Sequence, residues 1–409
     1  MTEIIPIDKH TSLYIWAPGA LVGSELLQTR DILIKIENGI ISSLQAISYE
    51  KLPVHVYHSP NLFSLERGQV LMPSLIDAHV HLALGGDGLS TALEMWRTPE
   101  GFKVHIIKAL ENTARAGVGV VRDGGDSRGF NLHFRDYFSK RKEVLPQIVA
   151  TGEALRRKEG YGSFLGHGYD SPEEIPFVIE RLSDSGIDQL KIVLSGVVSF
   201  NSYGSVEGKL MPFDELQAII GYANKKGLKT MAHASSDEAV ELAVQAGVDS
   251  VEHGYFVKTE TLKKMADKQV SWIPTVIPVA AQARNWNRSN WSMDEVETIE
   301  KICEEQVQKI ELAFRLGVPL GMGTDSGAPG VKHGEAILEE IKLYVDSGIP
   351  VGEVLKIVTS GNASLVGLGS NIGTIARGMK PALMVINGDP LQELDSLKNV
   401  ERMFIPIGK

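Results

Sequence analysis

The sequence predicts an α/β chain: a (β/α)8 TIM barrel with a small β-sandwich domain formed from both termini. Three observations predict it. Eight short apolar runs alternate with stretches at helical spacing through the middle of the chain. Strand-like runs occupy both ends. Residues able to bind a metal fall in or at the ends of the apolar runs, where such barrels build their sites.

Residues 1–70 contain SLYIW, DILIKIENG and IISSLQAI, runs rich in β-branched residues. Asn38-Gly39 separates two of them and supplies the two positive φ angles of a tight hairpin turn. Residues 71–365 form the barrel segment. Its strand candidates are LMPSLIDAHVH, VGVVRDGG, QIVATGEA, QLKIVLSG, LKTMAHAS, VDSVEHG, VSWIPT and VPLGMGTD. Between them FKVHIIKALENTARAG, FDELQAIIGYANKKG, SDEAVELAVQAG, TLKKMADKQ and AILEEIKLYVDSG carry apolar residues three and four apart. Several end on Gly, as helix C-termini do. The alternation gives parallel βαβ units; a closed barrel uses eight, and a doubly wound open sheet is the other topology the pattern permits. In residues 366–409 the β-type runs return as GTIARG, PALMVING and VERMFIPIG, so the two ends are expected to pair.

Composition narrows the function. The 41 Lys and Arg against 51 Asp and Glu give a net charge of −10, which argues against nucleic acid or an anionic membrane as the main partner and says little about a small-molecule substrate, since one metal pocket can reverse the local field. The single cysteine, Cys303, excludes an intrachain disulfide and a thiolate metal cluster. The opening MTEIIPIDKH lacks the basic and apolar regions of a secretory signal. No run of about 18 apolar residues occurs, so a cytoplasmic enzyme is expected.

In Asp77-Ala78-His79-Val80-His81 the two histidines are two apart at the end of an apolar strand, and so face the same side as a metal-binding pair must. One His-x-His pair has little specificity; recurrence supplies it. Lys191 in QLKIVLSG, His233 in KTMAHAS, His253 in SVEHG and Asp325 in GMGTD each put a ligating or polar group in or at the end of another apolar run. Lys191 lies amid Leu190, Ile192, Val193 and Leu194. A barrel has no edge strands, so an inward lysine needs a carboxylate partner or loss of its charge. Carboxylation by CO2 yields a group able to bridge two metal ions; an ion pair with an Asp is the other solution.

Further candidates are less specific. His167 sits in GYGSFLGHGYD after the third strand, a loop long enough to reach over the pocket. Arg122 and Asp123 either reach the pocket or form a structural pair. His333 and Glu335 either orient the eighth loop or open a helix. His10, His55, His58, His105 and His133 match no motif, and Leu110, Ala114 and Val118 form a packing stripe.

Taken together, VLMPSLIDAHVH, QLKIVLSG, MAHAS, VEHG, GMGTD and the tail IGTIARGMKPALMVINGDPL resemble the amidohydrolase superfamily. Within it they are similar to the imidazolonepropionase-related branch, which includes Xaa-Pro dipeptidases and other metal-dependent carboxypeptidases. The likeness runs from about Asp31 to the C-terminus. The resemblance implies His79, His81 and Asp325 on one metal, His233 and His253 on a second, and carboxylated Lys191 bridging them. Zn2+ suits the His-rich set, with other divalent metals able to replace it. The resemblance also implies Asp325 as the proton-transfer group during metal-assisted attack of water on a carbonyl, His167 as a substrate contact, and a homo-oligomer.

Three departures from the family pattern stand out. Ala-Ser-Ser follows His233, where many relatives carry Tyr or another bulky group. Ile-Val-Leu-Ser-Gly-Val-Val follows Lys191 without the frequent Gly-Gly. Pro381-Ala382-Leu383 replaces Ala-Asp-Leu in the tail. The first two shape the substrate pocket.

The expected reaction is hydrolysis of an amide C–N bond in a small substrate of dipeptide or N-acyl amino acid type. A deaminase or cyclic-amide hydrolase of the same superfamily is the rival. Such deaminases carry a Glu three residues after the fifth-strand histidine; here that position is Ser236, a poor proton shuttle. Lactonase or phosphotriesterase-like chemistry is open to the same centre. A non-catalytic scaffold would have lost ligands, whereas all the ligand positions are filled.

Overall fold

The computed structural model describes residues 2–284 and 289–407. Six strands open the chain: β1 (Glu3–Ile7), β2 (Ser12–Val22), β3 (Leu27–Glu37), β4 (Ile40–Ala46), β5 (Leu62–Ser64) and β6 (Gln69–Pro73). Seven more alternate with helices: β7 (Leu75–Val80), β8 (Val118–Asp123), β9 (Gln147–Ala150), β10 (Gln189–Val193), β11 (Lys229–Ala234), β12 (Ser250–His253) and β13 (Ser271–Ile273). Two close it, β14 (Leu383–Asn387) and β15 (Val400–Pro406).

The terminal strands form one hydrogen-bonded sheet in the order β1-β15-β14-β6-β2-β3-β4, with β5 beside β2. β1 runs parallel to β15, Glu3 opposite Arg402, so the two ends of the chain pair directly. The expected sandwich is thus a single continuous sheet. Ile34 and Ile36 of β3, Ile41 of β4, Leu71 of β6 and Phe404 of β15 share one buried core within it. Asn38 and Gly39 join β3 to β4 with φ of 54° and 74°, the two left-handed residues a type I′ turn requires.

The middle of the chain is a second α/β body. β7-β8-β9 form one parallel arc and β10-β11-β12-β13 another. Two expectations need correction. LMPSLIDAHVH splits at Ser74: β6 belongs to the terminal sheet, and only β7 enters the arc. VPLGMGTD forms no regular strand. Single parallel bridges, Trp272 to Leu320 and Val80 to Ser326, tie it to β13 and β7, and a third, Leu155 to Ile192, links the two arcs. Among the described residues these isolated bridges join the two arcs and the eighth run, and the regular ladder is interrupted at each.

The eighth run is irregular for a physical reason. Asn362 donates from Nδ2 to Ile76 O at 2.6 Å and Met322 O at 2.8 Å, and its Oδ1 accepts from Met322 N at 3.0 Å. A side-chain amide thus pairs backbone groups of β7 and the eighth run alongside the direct Ala78 N–H to Met322 O bond. A Cβ at Gly323 would lie 2.5 Å from His79 Cβ, so glycine is what lets this run approach β7.

Helices cover the arcs. Helix Pro99–Arg115 buries Phe102, Ile106, Leu110 and Ala114 four residues apart. Each large apolar side chain so buried contributes about 1.5–3 kcal/mol. Helix Asp237–Ala246 starts at Ser236, whose Oγ accepts from Ala239 N at 3.2 Å, and stops at Gly247, φ 84°. Among the described residues no helix is long and apolar enough to cross a membrane.

Candidate metal centre

Strand ends deliver the chemistry. β7 carries His79 and, just past its end, His81; β10 carries Lys191, β11 His233, and β12 ends on His253. Asp325 closes the eighth run. All six come together. Asp325 Oδ1 lies 3.6 Å from His79 Nε2 and 3.5 Å from His81 Nε2. Lys191 Nζ is 3.5 Å from His79 Nε2. The His253 ring centroid is 5.1 Å from that of His79 and 4.5 Å from that of His233. Ligand atoms of His79, His253 and Asp325 all fall within 4.8 Å of one another.

Each imidazole has one nitrogen engaged by the protein. Nδ1 of His79 lies 2.7 Å from Glu252 Oε2, that of His81 3.1 Å from Gly125 O, and that of His253 2.7 Å from Thr275 Oγ1. His233 is reversed: its Nε2 lies 3.0 Å from Gly196 O, leaving Nδ1 as the nitrogen for a ligand. Fixing one nitrogen orients the other, as metal sites require.

Burial sets the charge states. It drives His81 down to about 3 and His233 to about 4, and holds His79 and His253 well below the usual histidine range, with the Lys191 charge lowering all four further. Neutral imidazole is the form that ligates a metal. Burial also lowers the Lys191 amine and raises the Asp325 carboxyl. Among the described residues Lys191 makes no ion pair with a carboxylate, although it is buried. Gly124 keeps space open before the rings: a Cβ there would sit 2.7 Å from His81 Cε1 and 3.4 Å from His79 Nε2. Four neutral imidazoles, a carboxylate and this cradle fit a divalent cation.

The backbone is strained at the same place. His253, Thr275 and Asp325 have φ of 71°, 47° and 53°. Left-handed non-glycine residues cost about 1–3 kcal/mol each, most when β-branched like Thr275. The Asp325 amide donates to His79 O at 2.7 Å, and the Thr275 hydroxyl engages His253, so the strained turns hold the ligands in place.

The centre opens into a cavity of about 420 Å³ whose wall includes Tyr161, Phe164, Val198, Phe200, Tyr255 and Trp291. His167 does not reach it. Its imidazole is 72% exposed and 2.7 Å from Glu153, which Arg181 holds at 2.8 Å. The Arg156 guanidinium donates to the carbonyls of Lys158, Gly160 and Tyr161, and the resulting turn sends Tyr161, Phe164 and Leu165 inward instead. Arg122 pairs with Glu252, not with Asp123, which accepts from the Leu82 and Gly125 amides. His333 lies 2.9 Å from Leu84 O and so ties the first loop to the eighth. Glu335 directly precedes helix Ala336–Asp346. Glu252 escaped the sequence reading, although Ser250-x-Glu252 on an apolar strand places an acid on the inward face.

The amidohydrolase family profile matches residues 70–407, and the chain belongs to that family, hydrolases that act on carbon–nitrogen bonds. The imidazolonepropionase of Clostridium tetani (strain Massachusetts / E88) is 23% identical over 397 residues, spanning 86% of this chain and 83% of that protein. Among solved structures, a Xaa-Pro dipeptidase with methionine bound in its active site matches with a TM-score of 0.81 at 23% identity, covering 95% of this chain and 97% of that one. The A. niger ochratoxinase gives 0.80 at 18% identity, covering 97% and 95%. At such identities a structural likeness establishes the fold alone.

Proposed function

We propose that this chain is a metal-dependent amidohydrolase that cleaves an amide C–N bond in a small substrate, at a two-zinc centre within a closed (β/α)8 barrel. The observation that carries the reading is the convergence of four buried histidines, a buried lysine and a half-buried carboxylate at the floor of one cavity. His79, His81 and Asp325 would hold one ion and His233 and His253 a second, with carboxylated Lys191 between them. When bound, the cations acidify a water and polarise the scissile carbonyl.

The residues do the rest. Burial favours the neutral Lys191 amine, the form that bonds to the carbon of CO2; the N–H proton is released and a carbamate anion remains. Asp325, its carboxyl raised by burial, holds a proton readily and stands where it can pass one from the attacking water to the leaving nitrogen. Glu252 keeps the His79 proton on Nδ1. The apolar wall limits bulk water. Against the deaminase reading, the Ser236 hydroxyl is occupied as a helix cap.

The test is elemental analysis of purified protein beside a panel of dipeptides, N-acyl amino acids, aryl amides, lactones and aminated heterocycles. Two bound metals per chain and amide turnover that chelation abolishes and zinc restores are expected. Undiminished turnover after chelation, or turnover confined to lactones or heterocycles, overturns the proposal.

A further inference from the structure

We infer that the cavity accepts an uncharged aromatic or branched aliphatic group in place of a free carboxylate, so that the substrates are neutral carboxamides with an aryl or alkyl group on nitrogen. The inference rests on the amidohydrolase reading and narrows it away from dipeptides and N-acyl amino acids, which carry a carboxylate.

Recognition of a carboxylate needs a cation or converging donors. Among the described residues that line the cavity, Lys191 is the one Lys or Arg, and it sits buried in the floor of the site. Among the described residues the neighbouring guanidiniums are engaged elsewhere: Arg156 by loop carbonyls, Arg122 by Glu252, Gln189 and Ser250, and Arg284 by Glu339. Gln282 spends its amide N–H groups on the Pro278 and Pro329 carbonyls. Besides Asp325 at the centre, the remaining acidic lining group is Glu207, exposed and of the wrong sign for an anion. The net charge of −10 adds to that repulsion.

The opposite wall suits an apolar group. Phe200 and Trp291 meet edge to face, ring centroids 5.0 Å apart. They pack in one apolar cluster with Val198, Tyr255 and Val279, backed by Ile299 and Ile302 of helix Met293–Leu316. That backing makes the wall a preformed surface. A phenyl or branched alkyl group entering it is desolvated against matching surface and gains edge contacts, whereas a carboxylate would be dehydrated with the Trp291 indole N–H as its one unengaged donor on that wall among the described residues, and with no side-chain cation there.

In the reaction, water oxygen bonds to the carbonyl carbon and the C–N bond breaks. The electron pair leaves with nitrogen, which takes a proton, giving a carboxylic acid and a neutral aryl or alkyl amine. Both products depart into solvent past Glu207, which repels the anionic one.

The probes are N-benzylbenzamide and its two twins bearing a para-carboxylate on either ring, with the matching ketones in which CH2 replaces the amide NH. Calorimetric binding of the ketones to metal-loaded protein reads the pocket; turnover of the amides reads the chemistry. The neutral ketone should bind at least about tenfold more tightly than either carboxylate twin, and Trp291→Ala should erase most of that affinity. Glu207→Lys, at an exposed position that the fold tolerates, should shift preference toward one twin by about tenfold or more. A twin that binds wild type as tightly as the neutral ketone overturns the inference, as does Glu207→Lys without effect. Discrimination among the ketones with no turnover of any amide leaves the pocket inference standing and removes the hydrolase reading.

Discussion

Glu252 Oε2 lies 2.7 Å from His79 Nδ1, and both oxygens of that carboxylate accept from Arg122 Nη2, at 2.9 and 3.0 Å. All three side chains are buried. The carboxylate fixes the proton on Nδ1 and turns Nε2 toward the centre, while Arg122, bonded also to Gln189 and Ser250, offsets the carboxylate charge. Replacing Glu252 by Gln should lower zinc affinity by about 10–100-fold, the usual effect of losing an orienting partner. Replacing it by Ala should also destabilise the fold by about 3–5 kcal/mol, because Arg122 is left as an unpaired buried charge. Competition titration with a zinc chelator and urea unfolding read the two effects. Unchanged zinc affinity in Glu252→Gln would refute the orienting role.

Lys191→Ala should reduce bound metal by at least one ion per chain and abolish turnover. Lys191→Arg should do the same, since a guanidinium cannot take up CO2 at neutral pH. A small carboxylic acid added to Lys191→Ala should restore part of the metal content by occupying the vacated space. Elemental analysis after gel filtration decides it: two ions retained by both variants would show that no bridging carboxylate is needed.

What the sequence made legible was the residues whose role is set by strand period and position. His79 and His81 are two apart, and Lys191, His233 and His253 lie on runs too apolar to tolerate them without purpose; all meet in space. What escaped depended on tertiary packing. Nothing local announces that Ser74 divides two sheets, or that the Asn362 amide bonds the backbone of β7 and the eighth run. His167 faces solvent because Arg156, eleven positions earlier in the chain, shapes the loop from beneath. Glu252 carries a local signal, an acid on the apolar strand β12, but its partners His79 and Arg122 lie on other strands.

Gly124→Ala tests the cradle. Its methyl would lie 2.7 Å from His81 Cε1 and 3.0 Å from His81 Nε2, in the space a cation facing those nitrogens must occupy. Metal content and turnover should fall severely, while the chain keeps its secondary structure by circular dichroism. Full metal occupancy in this variant would place the ions elsewhere.

Glu340 gives the fold a pH dependence of definite sign. On helix Ala336–Asp346 it is fully buried and accepts from Val276 N at 2.9 Å and Ile277 N at 3.0 Å. Burial raises its carboxyl from 4.5 to about 8, against the opposing pull of the two amides. The folded state therefore binds this proton more tightly than the unfolded chain does. The associated stability is fully present below 4.5 and is lost as pH rises through about 8. Glu340→Gln removes the titration. Other groups titrate in both proteins, so the difference between them isolates this one, with a slope of up to about 1.4 kcal/mol per pH unit. Urea midpoints between about pH 6 and pH 9 should fall more steeply for wild type than for Glu340→Gln, even if the amide lowers absolute stability by pairing only one of the two backbone donors. Parallel pH profiles would show that Glu340 is ionised throughout.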